Sequence, residues 1–239
     1  MLSTGPFDYC LLKTGNGGTE SVPLFTYDTD GTKRDNITDW GLDQFRKRYQ
    51  TNREKKERPI TKEAIFYYVY GLLHDPVYRE KYALNLKREF PRIPFYKDFW
   101  KWADWGKELM DLHIGYESVT RSKLKRVDVP DEKARKAGLV PKWLLRADKD
   151  GGRIIVDSET TLTGIPPNAW DYRLGNRSAL EWILDQYKEK KPKDPTIREK
   201  FNTYRFAEYK EKVNDLLARV TTVSVKTVAI INSMEKAAR

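Results

Sequence analysis

A dense group of basic side chains lies in the middle of the sequence. Arg121, Lys123, Lys125 and Arg126 fall within six residues. Further cations follow closely: Lys133, Arg135, Lys136, Lys142, Arg146 and Lys149. Lysine and arginine on strands and loops can follow the phosphates of a nucleic acid, and arginine can also bind guanine through two hydrogen bonds. The same pattern is typical of a solvated sheet edge that lysines protect from aggregation, so these residues alone leave both interpretations open.

The charge of the whole chain suggests what such a group would bind. The 239 residues contain 45 Lys and Arg against 35 Asp and Glu, which gives a formal net charge of +10. A positive protein attracts polyanions, and it gains affinity when its cations release the counterions condensed on phosphates. Nucleic acid is therefore the partner that we expect.

The sequence carries few of the patterns that catalysis requires. It contains no glycine-rich dinucleotide loop, no P-loop and no Asn-Pro-Pro-Tyr-like methylation motif. Nuclease-like fragments do occur, in the form of Pro130-Asp131 and of a Glu-x-Lys pattern at Glu54-Lys55-Lys56 or Glu189-Lys190-Lys191. Such matches arise freely in a chain that is one-third charged, and Asp131 is better interpreted as the cap of a short helical segment that ends at Ala137. We therefore predict no catalytic residue in this chain.

A metal or cofactor site is not expected either. Cys10 is the single cysteine and His74 and His113 are the two histidines, which are too few for a zinc finger. His113 lies on a predicted apolar stripe, where a hydrogen-bonded core histidine is favoured over a catalytic base. His74 precedes Asp75-Pro76 at a predicted helix end, where an imidazole can contact free carbonyl groups.

The sequence shows no membrane or export signal. Its longest apolar stretches, such as residues 64–73, are far shorter than the roughly 20 residues that cross a bilayer. The amino terminus lacks a basic segment followed by an apolar run. We expect a soluble, cytoplasmic protein without a membrane partner, in which residues 1–22 are poorly ordered or form the start of a linker, as in a fragment of a longer protein.

The elements that position the basic group follow from the spacing of apolar residues. We predict an α+β fold that is mainly helical with a small antiparallel β insert. Within a recognition domain over residues 23–239, the helical scaffold covers 36–117 and 177–236, and the β-rich insert covers 118–165. The turn signal at 148–152 separates two apolar runs and predicts a hairpin, so the basic group is expected on the strands of this insert.

The scaffold helices have recognisable start and stop signals. After a strand at 23–27, a helix is predicted over 39–49 with Trp40 and Phe45 on its apolar side. Thr61 caps the next helix, and Asp75 with Pro76 begins a further helix that Pro91 ends. Another helix begins near Asp98.

The carboxyl-terminal segment from residue 204 onwards is predicted to be helical as well. Val220 to Ile231 is rich in β-branched residues, which favour strands. Its apolar residues nevertheless keep a helical interval, and the interval decides for a helix.

Five stretches resemble one known family. They are Asn36–Trp40, Ile60–Pro94, Thr161–Pro167, Tyr172–Tyr187 and Leu216–Thr227. Together they are similar to the C-terminal specificity region of type ISP restriction-modification enzymes, whose members are often labelled helicases. The resemblance covers nearly the whole chain and implies a DNA sequence-recognition domain that binds duplex DNA without catalysis of its own. The partners it implies are the methyltransferase and helicase domains of the same polypeptide, together with a nuclease part.

The resemblance also suggests how the contacts are divided. Segments shared by family members that recognise different targets should serve as scaffold or bind phosphates, so base contacts are expected between Arg121 and Lys149, where the match is poorest. The candidate DNA-binding residues of that region are Arg121, Lys123, Lys125, Arg126, Lys142 and Arg146. The candidate phosphate contacts elsewhere are Arg92, Arg173, Asn176 and Arg177, and the last two lie next to a predicted helix N-terminus that favours anions.

Two other functions remain open on the sequence. The aromatic residues could instead pack against the methyltransferase domain, which would make the chain a docking module without base contacts. Exposure of Trp100 or Trp105 would favour docking, whereas a continuous basic face on the insert would favour DNA. A cryptic nuclease would need Asp131 beside a second carboxylate and a lysine.

Overall fold

The structure, a computed structural model, describes residues 21–50, 58–190, 192–201 and 203–239. Cys10, nearly all of the predicted linker start at 1–22, the Glu54-Lys55-Lys56 fragment and the last residue of the Glu189 fragment lie outside the described residues. The chain divides into two compact units. Unit 1 comprises Met1–Ile114 and Ile230–Arg239, and unit 2 comprises Gly115–Ala229.

Unit 1 is mainly helical. A small hairpin of β1 (Phe25–Tyr27) and β2 (Lys33–Asp35) precedes four helices. These are α1 (Asp39–Tyr49), α2 (Lys62–Leu72), α3 (Pro76–Lys81) and α4 (Phe99–Ile114), with a short 3-10 turn at Asn85–Lys87. The end of α7 (Phe206–Glu235) also belongs to this unit.

Side chains cap all four helices of unit 1, and the predicted caps Thr61 and Asp75 are confirmed. Thr38 and Thr61 accept hydrogen bonds from the amides at the starts of α1 and α2, each at 3.1 Å. Asp75 caps α3, in which Pro76 takes the first position because a missing N–H costs nothing there. Asp98 caps α4 by accepting a 3.0 Å bond from the Lys101 amide. Local side-chain chemistry therefore determines where these helices begin.

Two details of the predicted helices were wrong. Trp40 is 72% exposed, so only Phe45 lies on the buried side of α1. Helix α3 ends at Lys81 and is followed by turns, whereas the prediction continued the helix to Pro91. Proline marks only the last point at which a helix can end, and here the chain leaves helical geometry earlier.

Helices α2 and α4 pack unusually closely because glycines face each other where they meet. A methyl group added at Gly106 would lie 1.8 Å from the Tyr67 carbonyl oxygen, and one added at Gly71 would lie 2.6 Å from the Trp102 carbonyl oxygen. The surrounding core is aromatic, with Tyr68 and Phe99 stacked at 5.2 Å. These contacts fix α2 against α4, the longest helix that lies wholly within unit 1.

Unit 2 is the α+β part of the chain. Its sheet has the antiparallel order β3-β6-β5-β4. The strands are β3 (Lys125–Asp128), β4 (Trp143–Asp148), β5 (Arg153–Asp157) and β6 (Thr160–Thr163). A short helix α5 (Glu132–Lys136) follows β3, and its cap is Asp131 as predicted. The predicted hairpin corresponds to β4 and β5, and the predicted α+β class is confirmed.

The remaining elements of unit 2 cover one side of this sheet. A two-stranded ribbon of β7 (Arg173–Leu174) and β8 (Arg177–Ser178) leads into α6 (Ala179–Gln186), and a π-helical turn at Ile197–Phe201 precedes α7. Helices α6 and α7 pack their apolar residues against the sheet through a core that includes Ile154, Leu162, Leu180 and Leu217. Helix α7 confirms the choice of helix for the β-branched segment.

Among the described residues, none of the helices is both long enough and apolar enough to cross a membrane.

Candidate nucleic-acid interface

The four-stranded sheet of unit 2 has one covered face and one solvent face. Side chains alternate between the two faces along each strand, and directly paired residues point to the same face. Arg126, Leu162, Ile154 and Ala147 are paired in one row, and the core position of Ile154 and Leu162 makes this the face covered by the helices.

The rows on either side of this one form the opposite face, which we call the outer face. One row pairs Lys125, Thr163, Arg153 and Asp148, and the other pairs Val127, Thr161, Ile155 and Arg146. Lys125, Arg146 and Arg153 are exposed, and the threonines and aliphatic residues between them are half-buried. The outer face thus carries three cations and one carboxylate around a centre of β-branched side chains.

Asp148 organises the hairpin end of the outer face. Arg153 Nε donates a hydrogen bond to Asp148 Oδ2 at 2.6 Å, and the Gly151 amide donates to Asp148 Oδ1 at 3.0 Å. The bond from Arg153 and that from Gly151 lower the pKa of Asp148, which is therefore ionised at neutral pH. Asp148 consequently holds both the turn and the guanidinium of Arg153.

The turn is also tied to the helical layer. Lys149 Nζ lies 2.9 Å from Glu181 Oε1 of α6. Partial burial of Glu181 would raise its pKa, but the bonds from Ser178 and Lys149 outweigh burial and lower the pKa to about 2. The β4–β5 hairpin is thereby anchored at its tip as well as through the ladder, so the outer face has a defined shape.

Two of the predicted arginines are bound to helix α7. Arg126 lies on the covered face, where its guanidinium contacts Asp128 and Glu211, each at 2.8 Å. The hydrogen bonds that Arg126 donates to those two carboxylates raise its pKa. Arg121 forms an ion pair with Asp215, one turn further along α7. Both side chains attach the β3 segment to α7, whereas Lys123 and Lys125 are exposed without a side-chain ion pair to a described residue.

Lys142 and Arg146 are both exposed on or beside β4. The Lys142 amide donates to Ser158 Oγ at 3.1 Å, while its ammonium group lies in solvent. Arg146 lies on the outer face next to β5. Of the six candidates between Arg121 and Lys149, Lys125 and Arg146 therefore share one face.

The candidate phosphate contacts of unit 2 surround the ribbon that precedes α6. Arg173 Nη2 donates to the Asn176 carbonyl at 2.6 Å, and Arg177 forms a 2.7 Å ion pair with Asp185. Ser178 caps α6, and its own amide donates to Glu181 Oε2 at 2.8 Å. A carboxylate of the protein already lies at the helix N-terminus that the sequence predicts as an anion site. Arg92 in unit 1 is almost fully exposed and lies 3.8 Å from Glu89.

The residues considered for catalysis have structural contacts. The Asp131 carboxylate caps α5, and its amide donates to Glu159, which forms an ion pair with Arg135. Among the described residues, no group of three or more His, Cys, Asp or Glu is placed to hold a metal ion. Glu189 accepts a 2.9 Å bond from the Phe206 amide at the start of α7.

The two histidines lie together in unit 1. Tyr70 OH is 2.7 Å from His113 Nδ1, and His74 Nδ1 is 2.8 Å from the Tyr70 carbonyl. The predicted hydrogen-bonded His113 and the predicted carbonyl contact of His74 are therefore both present. Burial lowers the pKa of His113 to about 4 and also lowers the pKa of His74.

The two tryptophans that would distinguish docking from DNA binding are half-buried. Arg58 stacks over the Trp100 ring at 3.8 Å, and Lys101 lies 5.1 Å from the centre of the Trp105 ring. Each indole thus already has a cation on it. Both rings are half-buried, whereas an exposed ring was the observation that would have favoured docking.

Arg153 was missed by the sequence analysis. It was not among the candidate residues, yet it pairs with Asp148 and points to the outer face. The period of two along β5 could have indicated it, because Ile154 and Val156 are buried while Arg153 and Ile155 alternate with them.

Comparison with known proteins gives one family and several DNA complexes. The model of the Type ISP C-terminal specificity domain matches residues 1–216. A cryo-EM structure of a DrdV–DNA complex is 52% identical with a TM-score of 0.83, over 91% of this chain and 22% of that chain. A nuclease-deletion mutant of the type ISP enzyme LlaGI, in complex with a DNA substrate mimic, is 30% identical with a TM-score of 0.60.

That LlaGI match covers 89% of this chain and 18% of the other. The ATP-dependent type ISP enzyme LlaBIII bound to DNA is 26% identical with a TM-score of 0.63, over 90% of this chain and 13% of that chain. The chain therefore spans less than a quarter of each of these longer proteins. No curated protein matches it.

Proposed function

This chain belongs to the family of type ISP C-terminal specificity domains, and on that basis we propose that it is the DNA sequence-recognition domain of a single-polypeptide restriction-modification enzyme. It binds duplex DNA and performs no catalysis of its own. The ATPase, methyltransferase and nuclease parts lie elsewhere in the same polypeptide, in the cytoplasm, and the methyltransferase and helicase domains are its protein partners. The three DNA-bound structures that it resembles support duplex DNA as the ligand.

The outer face is the observation that carries this proposal for unit 2. Lys125, Arg146 and Arg153 extend from three strands of one sheet, and Arg146 and Arg153 are diagonal neighbours about 7–8 Å apart at their Cα atoms. Cations at this spacing can contact successive backbone phosphates, which supply affinity and register. Lys123 and Lys142 are two further exposed cations, next to the starts of β3 and β4.

The width of the sheet limits how it meets DNA. A major groove is roughly 12 Å wide and admits a two-stranded ribbon, whereas four strands at about 4.8 Å spacing are too wide to enter. The β4–β5 hairpin, at one edge of the sheet, is the part that fits. We therefore expect contacts with base edges to come from this hairpin, whereas Lys125 on the opposite edge strand of the sheet contacts phosphates.

Binding to random-sequence duplex DNA across a salt series tests this function. Replacing Lys125, Arg146 and Arg153 together by alanine should weaken binding and make the salt dependence shallower, by about 0.9 in the logarithmic slope for each phosphate that is no longer neutralised. The matched control replaces Arg198, Lys212 and Lys226 by alanine, which also removes three charges from exposed positions of unit 2. Equal decreases in affinity in both variants would show that only total charge matters.

A second candidate function is supported by unit 1. Trp40, Leu84 and Phe90 are each 72% exposed, and large apolar side chains at a surface can contribute to a contact with another domain. The methyltransferase part of the same polypeptide is the occupant that this candidate implies. In the full-length protein, Leu84→Ser with Phe90→Ser should then accelerate proteolysis between the two parts, and an unchanged digestion pattern would count against docking. Absence of DNA binding by the 239-residue chain at low salt would make docking the favoured function.

A further inference from the structure

Arg153 and Asp148 form a fixed pair at the hairpin end of the outer face. They are directly paired across β4 and β5, and the 2.6 Å bond joins Arg153 Nε to Asp148 Oδ2. The Gly151 amide holds the other carboxylate oxygen at 3.0 Å. The carboxylate is therefore held from two sides, and it sets the orientation of the guanidinium plane.

This arrangement leaves the far end of the guanidinium available. The two Nη groups of Arg153 form no hydrogen bond with any residue in the described part of the chain, and about half of the side chain is exposed at 51%. Two parallel N–H groups in a plane match the O6 and N7 acceptors of guanine in the major groove. Because the side chain is already fixed, it loses less conformational freedom on binding than a mobile arginine does.

The carboxylate distinguishes a base contact from a phosphate contact. An ionised Asp148 beside Arg153 repels phosphates and weakens a purely electrostatic grip on the DNA backbone. It does not oppose a hydrogen-bonded contact with an uncharged base edge. Arg146 on the same face has no hydrogen-bonded carboxylate among the described residues to orient it, so it is suited to a less specific phosphate contact.

We propose that Arg153, oriented by Asp148, is a specificity-determining residue that binds one guanine of the recognised DNA sequence. Asp148 is a positioning residue in this pair. The proposal rests on the DNA-recognition function of the outer face. It adds one residue pair and one base type to that function.

Selection of bound duplexes from a randomised library by the 239-residue chain tests the pair. The wild-type protein should enrich a motif that contains at least one guanine preferred by roughly 5- to 150-fold, the range for a bidentate arginine contact. Arg153→Lys keeps the charge but removes the planar fork. The preference for guanine at one position of the motif should therefore fall to about one-fold, while the affinity for random DNA is retained. Arg198→Lys, at an exposed position of unit 2 outside the sheet, is the matched control and should leave that guanine preferred.

Asp148→Asn distinguishes the effect of Asp148 on the orientation of Arg153 from the effect of its negative charge. It removes a negative charge near DNA, so affinity for random duplex should rise, yet preference for the same guanine should fall because the guanidinium is no longer held. A thermal unfolding midpoint close to that of wild type would show that the turn is intact, and Arg153→Lys tests the proposal independently of the turn.

The outcomes distinguish a failure of the proposal for Arg153 and Asp148 from a failure of the DNA-recognition function. Retention of the guanine preference in Arg153→Lys would overturn the proposal and leave DNA recognition standing. Disappearance of that preference in Arg198→Lys as well would also overturn it, because the effect would not depend on the fixed pair. A wild-type chain that binds DNA but enriches no motif, or that binds no DNA, would overturn both.

Discussion

Neighbouring basic residues of unit 2 differ in how close the nearest carboxylate lies. Arg126 contacts two carboxylates and Arg121 contacts one on α7, whereas Lys125 between them in sequence points to solvent. The strand period of two explains the difference between Lys125 and Arg126, since adjacent residues of β3 face opposite sides of the sheet. Replacing Arg121 or Arg126 would therefore alter the attachment of β3 to α7 as well as the surface charge.

The pH dependence of stability is a prediction at this scale. Burial lowers the pKa of His113 from 6.5 to about 4, so the folded chain binds fewer protons than the unfolded chain between those values. The stability that comes from the neutral imidazole is fully present above pH 6.5 and is lost as pH falls through this window, at about 1.4 kcal/mol for each pKa unit. Urea unfolding at pH 7.5 and at pH 5 measures the decrease in unfolding free energy.

His113→Gln is the control for this prediction. It should reduce the difference in unfolding free energy between the two pH values, and the remaining part belongs to His74, whose pKa is lowered in the same direction. An unchanged difference in the variant would mean that other groups cause the pH dependence.

The sequence was sufficient to predict the starts of the elements but not the partners of their side chains. Thr38, Thr61, Asp75 and Asp131 act within a few residues of themselves, so their capping roles could be inferred from spacing. The ion pairs of Arg121 and Arg126 span about 85 to 95 residues, and no local pattern indicates them. Arg153 lay between these cases. Its position on the outer face could have been inferred from the alternation along β5, but its hydrogen bond with the Asp148 carboxylate could not.

At the scale of elements, the close packing of α2 against α4 depends on two glycines, which have no side chain. Their backbones meet at Gly71 and Gly106, and the aromatic side chains of Tyr68, Phe99 and Trp102 fill the space beside that crossing. The apolar stripe of α4 was visible in the sequence. The role of Gly106 was not, because a glycine in a helical stripe does not reveal which backbone approaches it.

Gly106→Ala should therefore destabilise the chain strongly. The added methyl group would overlap the Tyr67 carbonyl, and the rigid backbone must move, which we expect to cost about 3 kcal/mol or more. The matched control is Gly41→Ala in α1, where the nearest atom is Thr38 Oγ1 at 3.4 Å. That change should be neutral or stabilise the helix by up to about 1 kcal/mol. Chemical denaturation of both variants checks this, and equal effects would contradict the close packing.

At the scale of the whole molecule, the sequence of unit 2 is inserted within the sequence of unit 1. Unit 1 is made from residues on both sides of unit 2 in sequence, and Asp75 and Arg239 join its two parts. Asp75 is fully buried, and Arg239 Nη2 lies 2.5 Å from its Oδ1 atom. A buried carboxylate without its arginine would be costly, so the final residues belong to the fold of unit 1.

Exchange of residues 115–229 with the corresponding segment of a relative would transfer the outer face as a cassette and should change the DNA sequence that is preferred. The carboxyl-terminal junction of the exchanged segment lies inside α7, which runs without a break through Ala229 and Ile230. The number of helical residues must therefore be conserved there. One residue added or removed there rotates the later residues of α7, including the buried Ile230 and Met234, by about 100° relative to the earlier residues of the same helix. Hybrids that keep the helical phase should unfold at temperatures near that of the parent, whereas hybrids shifted by one residue should unfold earlier. The continuous helix would then limit which natural or engineered recombinants fold stably.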